Sequence, residues 1–484
     1  MTEEEVLAAV PKQLLIGGAW RDATGRGRFP VTDPATGATL CEVADAAEDD
    51  ARAALDAAST AQAGWAATAP RERSEILRRA FEAVAARTDE LALLMTLEMG
   101  KPVRESRAEI AYANDFVRWN AEEAVRIDGR YATSPNGAGR LLTIRQPVGP
   151  CLLITPWNFP LAMGTRKIAP AIAAGCTMVV KPARLTPLSM LAFAAILGEA
   201  GLPDGVLGVL TTSRSAEVTD PLFDDPRLRK LSFTGSTEVG RKLAARAMDQ
   251  VLRVSMELGG NAPFLVFEDA DLGAAVDGAM TAKMRNMGEA CTAANRFHVH
   301  SSRVEEFSAR LAERMAGLRI GRGTEADTDV GPLIDEDQRE KVVELVGDAV
   351  ARGARVLTGG EAVDGPGHFY RPTVLVDVPG DARLLREEVF GPVAPIVGFD
   401  TEAEAVAAAN ATEYGLVAYL YTRDLTRALR VAEGLETGMV GLNQGLVSNA
   451  AAPFGGVKQS GFGREGGYEG IGEYLEVKYV ALGM

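Results

Sequence analysis

The sequence predicts an α/β protein built on parallel sheets, and two observations carry that reading. From Val148 onward, short apolar runs alternate with longer stretches of helical spacing, the βαβ pattern that places ligands at the carboxyl ends of strands. The chain also has 484 residues, with 47% hydrophobic and 24% charged side chains, enough for about three domains with large cores.

The elements follow in order. Residues 11–45 carry turn signals, Gly17-Gly18 and Asp33-Pro34-Ala35-Thr36-Gly37, between short apolar runs, and read as hairpins. Residues 48–127 read as helical. Asp49-Asp50 opens one helix, Pro70 sits at the first turn of another, and Ile76, Leu77, Ala80, Phe81 and Val84 recur at helical spacing. Gly100-Lys101-Pro102 breaks the pattern before it resumes. Residues 140–147 alternate like an exposed strand. Strands at 151–154, 177–180 and 231–233 are then each followed by a helix, at 161–174, 187–200 and 236–248. A second α/β region runs from 262 to 442, with strands at 263–267, 372–377, 393–399, 416–422 and 438–442. Its helices are expected at 271–286, 303–316, 336–351, 402–410 and 424–434. A glycine-rich run, 454–470, leads to a last strand at 474–480.

Composition narrows the function. A net charge of −15, from 51 basic and 66 acidic residues, argues against binding nucleic acid or an anionic membrane. The acidic start is no signal peptide, and no apolar run reaches the length of a membrane span. Cys41, Cys151, Cys176 and Cys291 lack CxxC spacing, a reduced, cytoplasmic pattern rather than a disulfide framework or zinc site, so no metal is expected. Only three histidines occur. His298 and His300 alternate as on one face of a strand, and His368 lies in a Gly-rich loop, so acid–base work falls to carboxylates.

Cys291 follows a glycine-marked turn, Arg285-Asn286-Met287-Gly288. Residues 293–297 can begin a helix, whose N-terminal partial charge would lower the thiol pKa. The plainer reading is a small buried apolar residue. Asn158, between prolines in Thr155-Pro156-Trp157-Asn158-Phe159-Pro160, offers an amide donor to an oxyanion, or is a turn asparagine. Glu257 ends a strand beside Gly259-Gly260, as a general base or a solvated charge. Glu388 and Phe390 precede a turn in Glu387-Glu388-Val389-Phe390-Gly391-Pro392. Two motif matches fail. Gly461-Phe-Gly463-Arg-Glu-Gly466 fits GxGxxG but has no βαβ unit behind it. The stretch from Gly235 to Lys242 lacks the Lys-Ser/Thr pair of a P-loop, yet keeps a glycine turn feeding a helix, which suits a phosphate.

Taken together and in order, the stretches TPWNFP (155–160), KPA (181–183), FTGSTEVG (233–240), MELGGNAP (256–263), EEVFGPV (387–393) and PFGGVKQSG (453–461) resemble the aldehyde dehydrogenase superfamily over nearly the whole chain. Within it the likeness is greatest to succinate-semialdehyde dehydrogenases, in Thr165-Arg166-Lys167, Arg285-Asn286 and the tail from Gly445 to Tyr479. The resemblance implies a modified Rossmann cofactor domain (1–128 and 148–257), an α/β catalytic domain (258–460) and a small β oligomerisation arm (129–147 and 461–484). The arm would pair with a neighbouring subunit in a homodimer or homotetramer and cover its edges.

The resemblance also assigns roles. Cys291 attacks the aldehyde, Asn158 and the Cys291 backbone N–H receive the oxyanion, and Glu257 activates water against the thioester. The cofactor is NAD or NADP. Its pyrophosphate lies at Gly235 and Ser236, its adenosine ribose at Lys181, and its nicotinamide ribose at Glu388 near Phe390. Leu258 holds the carboxamide, and Thr155 and Trp157 complete the pocket. Arg184 stands where many NAD-preferring relatives carry Glu, which favours the 2′-phosphate of NADP. Arg166, Arg285 and Ser448 would clamp the carboxylate of a small semialdehyde, with glutarate semialdehyde the rival to succinate semialdehyde. Glu289 replaces the usual Gln, and close to the thiol it would raise the thiol pKa. A cysteine hydrolase would need a histidine partner, and no motif contains one. A catalytically dead homologue would not be expected to retain Cys291, Glu257 and Asn158 together.

Overall fold

The strand–helix alternation after Val148 builds an eight-stranded sheet. The computed structural model describes residues 1–483. The sheet runs from Ala19–Arg21 through Leu14–Ile16, Leu207–Val209, Met178–Lys181, Cys151–Ile154, Lys230–Thr234 and Arg253–Glu257 to Gly461–Phe462. The strands from Leu207–Val209 to Arg253–Glu257 are parallel. The N-terminal hairpin and Gly461–Phe462 close the two ends antiparallel. Cys151–Ile154, Met178–Lys181 and Lys230–Thr234 are buried along their whole length, which is why each reads as an apolar run without alternation.

A second sheet of seven strands takes the order Arg355–Thr358, Thr373–Val376, Val393–Phe399, Ala294–His300, Ala262–Val266, Val417–Tyr421 and Met439–Leu442. All its pairings are parallel except that of Arg355–Thr358. A third, antiparallel sheet joins Leu475–Gly483 to Gly139–Pro147 and Arg130–Thr133. Among the described residues, no helix is long and apolar enough to cross a membrane.

Four helices, Glu48–Ala67, Pro70–Ala86, Thr88–Met99 and Val103–Glu123, form the expected helical stretch. They also reach into the sheet layer with buried acids. Glu98 accepts bonds from the backbone N–H groups of Leu188 (2.6 Å) and Ser189 (2.8 Å), at the start of helix Leu188–Glu199. Glu109 does the same for Leu161 (3.0 Å) and Ala162 (3.1 Å), at the start of helix Ala162–Ala174. A carboxylate there satisfies N–H groups that the helix itself cannot pair and faces the positive end of its dipole. Glu109 thereby fixes the segment that carries Asn158.

One expectation needs correction, and some elements went unforeseen. Residues 294–300 form a strand, not the start of a helix. Ala293-Ala294-Asn295 is compatible with a helix by itself, but Ala294–His300 is sandwiched between Ala262–Val266 and Val393–Phe399, and pairing on both sides overrides local preference. The alternation read at His298 and His300 is the signal that holds. Strands Leu207–Val209 and Arg355–Thr358 went unforeseen because such short runs carry little periodicity. Helix Ser215–Phe223 was hidden by its internal Pro221, which reads as a breaker.

Candidate active site

The carboxyl ends of strands Lys230–Thr234 and Arg253–Glu257 meet the turn that enters Ala294–His300, and a cavity of about 200 Å³ opens between them. Trp157, Asn158, Gly235, Glu257, Cys291 and Phe390 all face it.

Cys291 hangs from an irregular turn. Asn286, Met287 and Gly288 all have positive φ (52°, 53° and 81°), and a Cβ on Gly288 would stand 2.2 Å from the Gly391 carbonyl oxygen. The turn approaches its neighbour so closely that only glycine fits. Because a strand follows, the thiol does not sit at the N-terminus of the helix expected there. Burial pushes Cys291 up to about 12, Arg166 and Arg285 oppose that rise, and Glu388 and Glu257 add to it. The resting group is therefore a thiol that needs a base. Glu289 is not among those charged neighbours: its side chain accepts from the Ile334 N–H (3.1 Å), so the expected effect of this acid on the thiol is not what the geometry provides.

Asn158 lies against the same turn. Its Nδ2 donates to the Glu289 carbonyl (3.0 Å), which leaves its second N–H available, since an amide nitrogen carries two. Its own carbonyl receives Asn286 Nδ2 (2.9 Å) and Lys101 Nζ (2.8 Å). Lys101 is fully buried, paired with Glu109 and set 4.2 Å from the Phe159 ring centroid. Glu257 is also buried, and neither of its carboxyl oxygens has a hydrogen-bond partner in the structure. Burial, with the charge of Glu465 beside it, raises its pKa well above the usual carboxylate range, so it is a stronger proton acceptor than a surface glutamate.

Of the residues expected to hold the cofactor, Trp157, Gly235, Ser236, Leu258, Glu388 and Phe390 line the cavity, and Thr155, Lys181 and Arg184 lie outside its lining. Ser236 caps helix Thr237–Met248, with its hydroxyl accepting the Val239 N–H, and a Cβ on Gly235 would meet the Phe233 ring at 2.5 Å. This leaves a glycine turn at an open helix N-terminus, which fits a pyrophosphate. Lys181 is buried and donates to Ser215 Oγ (2.9 Å), and burial alone brings its pKa down to about 8. Arg184 is exposed and, among the described residues, has no acid within 4.0 Å. The Thr155 N–H donates to the Lys181 carbonyl (3.2 Å), tying the two strand ends together. At the other end, Glu388 accepts from the Gly260 N–H (3.0 Å), and burial pushes it up to about 7. Phe390, at φ 55°, stands edge-on to Trp157 at 5.3 Å, and Leu258 lines the same wall. A glycine turn at a helix N-terminus and a buried carboxylate on one cavity fit a phosphate and a ribose of NAD(P).

The three expected carboxylate ligands separate. Arg285 and Ser448 come together, Nη1 to Oγ at 3.4 Å, although 163 residues divide them in sequence. The Arg285 guanidinium lies 4.7 Å from the Phe159 ring and 5.6 Å from the Tyr112 ring, and among the described residues no acid is within 4.0 Å of it. A second cavity of about 380 Å³ is lined by Arg285, Phe159 and Leu446, on the far side of the Asn158-Phe159 segment. Arg166 was expected to face the mouth as a bare cation. It is instead 1% exposed, 2.6 Å from Glu465 and 3.8 Å from the Phe454 ring centroid. The sequence reading missed Glu465 because it lies inside the glycine-rich match that had been set aside. It missed Lys101 because Gly100-Lys101-Pro102 was read only as a helix breaker.

Residues 20–480 match the aldehyde dehydrogenase family. The chain belongs to that family. A succinate-semialdehyde dehydrogenase of Paenarthrobacter nicotinovorans is 61% identical over 443 residues, 92% of this chain and 98% of the relative. A glutarate-semialdehyde dehydrogenase of Pseudomonas putida is 50% identical over 471 residues, 97% of this chain and 98% of the relative. The crystal structure of an NADP-dependent enzyme of Escherichia coli, 49% identical, superposes with a TM-score of 0.97 and covers 98% of both chains. The expectations of family, α/β architecture and aldehyde oxidation with NAD or NADP are borne out. This aldehyde dehydrogenase thus brings a thiol, an amide donor and a raised carboxylate to one cavity.

Proposed function

We propose that the enzyme oxidises succinate semialdehyde to succinate, with NADP+ preferred over NAD+. The observation that carries the substrate is Arg285, a half-enclosed guanidinium bonded to Ser448 and flanked by aromatic faces, with no acid of its own within 4.0 Å among the described residues. An enclosed cation without a partner costs free energy that an incoming carboxylate recovers. Likeness to the Paenarthrobacter enzyme supports the four-carbon substrate, and the Pseudomonas relative keeps glutarate semialdehyde as the second reading.

The steps follow from the side chains. Glu257 takes the Cys291 proton, and the sulfur forms a bond to the aldehyde carbon while the carbonyl electron pair moves to oxygen. The free N–H of Asn158 and the Cys291 backbone N–H stabilise that oxyanion, an effect worth about 2.7–4 kcal/mol per donor in comparable sites. NAD(P)+, when bound, would accept the hydride that the carbon gives up as the oxyanion pair re-forms the carbonyl, and a thioester would remain on Cys291. Glu257 gives up that proton to solvent and then takes one from water. The new hydroxide attacks the thioester carbon, the C–S bond breaks, and succinate leaves. Gly235, Ser236, Lys181 and Glu388 would hold the cofactor. Arg184, exposed near Lys181, would meet a 2′-phosphate with a contact worth about 1.5–3 kcal/mol.

The three sheets support a division of labour. Residues before 128 with 148–257 would bind the cofactor, and 258–460 would carry the thiol. The arm from Gly139–Pro147 and Leu475–Gly483, with exposed Tyr131, Val477 and Tyr479, would join a second copy in a cytoplasmic homodimer or homotetramer. The test is reduced-nicotinamide absorbance with succinate semialdehyde, glutarate semialdehyde and butanal, each with NADP+ and NAD+. Succinate semialdehyde with NADP+ gives the highest kcat/KM. Equal use of butanal overturns the substrate, and a strong NAD+ preference unaltered in Arg184→Ala overturns the cofactor.

A further inference from the structure

The Tyr112 hydroxyl is buried and has no hydrogen-bond partner in the structure. Buried hydroxyls almost always have one, so an orphan of this kind points to a group the protein's own atoms do not supply. Tyr112 sits on helix Val103–Glu123, one turn before Phe116, and the two rings meet edge-on at 5.1 Å. Phe116 in turn lies 5.7 Å from the Arg166 guanidinium, and the Tyr112 ring lies 5.6 Å from that of Arg285. The Tyr112 and Phe116 rings thus stand between the two arginines. Arg166 Nε is likewise buried without an acceptor. The ring that flanks Arg285 therefore carries a buried O–H with no acceptor from the chain.

We infer that the Tyr112 hydroxyl is a third carboxylate ligand beside Arg285 and Ser448, donating to the distal carboxylate of the semialdehyde. The inference rests on the carboxylate reading of Arg285 and deepens it. A phenol donor adds direction to the clamp, because it bonds only an acceptor in line with its O–H, whereas the stacked guanidinium tolerates a range of approach. The alternative is that Tyr112 serves only as an aromatic face for Arg285, a task phenylalanine performs equally well.

Tyr112→Phe separates the two, since it removes one oxygen and keeps the ring. In the full-length enzyme, the KM for succinate semialdehyde rises about tenfold, as expected for a lost hydrogen bond to a charged group, while kcat and the kinetics with butanal stay within about twofold. The melting temperature remains that of the wild type. A Tyr112→Phe enzyme with unchanged KM for succinate semialdehyde, while the wild type still prefers that substrate over butanal, overturns the role of Tyr112 alone. Equal losses with both aldehydes overturn it too, in favour of packing. A wild type that does not distinguish the two aldehydes overturns the carboxylate reading and this inference with it.

Discussion

Arg166 and Arg285 both act on the Cys291 thiol by lowering its pKa, and both came from the same reading of the sequence as ligands for one carboxylate. The structure gives them different circumstances. Arg166 lies inside helix Ala162–Ala174, and Glu465 stands 2.6 Å away and is shared with Lys167. Arg285 lies just past the end of helix Leu272–Met284, against two aromatic rings and a hydroxyl. A buried cation whose anion belongs to the chain holds the fold together. One lacking such an anion is ready for a charge from outside. Residue type and neighbourhood alone do not tell a ligand from a structural pair; the partner decides it.

The comparison can be broken at several points. Replacing the proposed nucleophile sets the scale: Cys291→Ala lowers turnover at least about a thousandfold, yet binds cofactor as before, because Gly235, Ser236, Lys181 and Glu388 are untouched. Significant residual turnover in the purified variant would contradict covalent catalysis. Arg166→Ala should cost about 3–5 kcal/mol of stability, since it strands Glu465 in the interior with only Lys167 beside it. Thermal or urea unfolding measures this, and a variant as stable as the wild type would place Arg166 with the ligands rather than with the fold. Glu257→Gln should slow the first release of reduced cofactor as well as steady turnover, with kcat down about 100- to 10,000-fold, because Glu257 takes the proton of both the thiol and the water. Steady turnover at the wild-type rate removes Glu257 from deacylation.

The cofactor end offers a smaller, pH-dependent test. Burial brings Lys181 down to about 8, so it is charged below that pH and neutral above it. If Lys181 helps Arg184 to hold a 2′-phosphate, the KM for NADP+ rises about tenfold between pH 7 and 9, and the KM for NAD+ changes less. Parallel profiles for the two cofactors count against that role.

Much of this was legible in the chain. The cavity residues Asn158, Glu257, Cys291 and Glu388 each sit at a strand end or turn whose glycines and prolines mark it locally. The strands around them are short apolar runs that only a buried parallel sheet accommodates. The Arg166–Glu465 pair was not legible, because it joins residues 299 apart through a loop without periodicity. The strand at Ala294–His300 was legible only in its second half, at His298 and His300; its first half takes its character from its two neighbours. Tyr112 lies on helix Val103–Glu123, where a polar side chain in sequence reads as a solvated face until the packing turns it inward.

The account's central claim is that Arg285, and not merely positive charge near the thiol, recognises the substrate. The direct measurement is kcat/KM for succinate semialdehyde and for butanal, in the wild type and in Arg285→Ala, with unfolding followed in parallel. The wild type should favour the semialdehyde. Arg285→Ala should lose about 10- to 100-fold of that preference, through KM, with butanal turnover and stability nearly unchanged. A ratio that survives the substitution, or a loss shared equally by butanal, would contradict the claim.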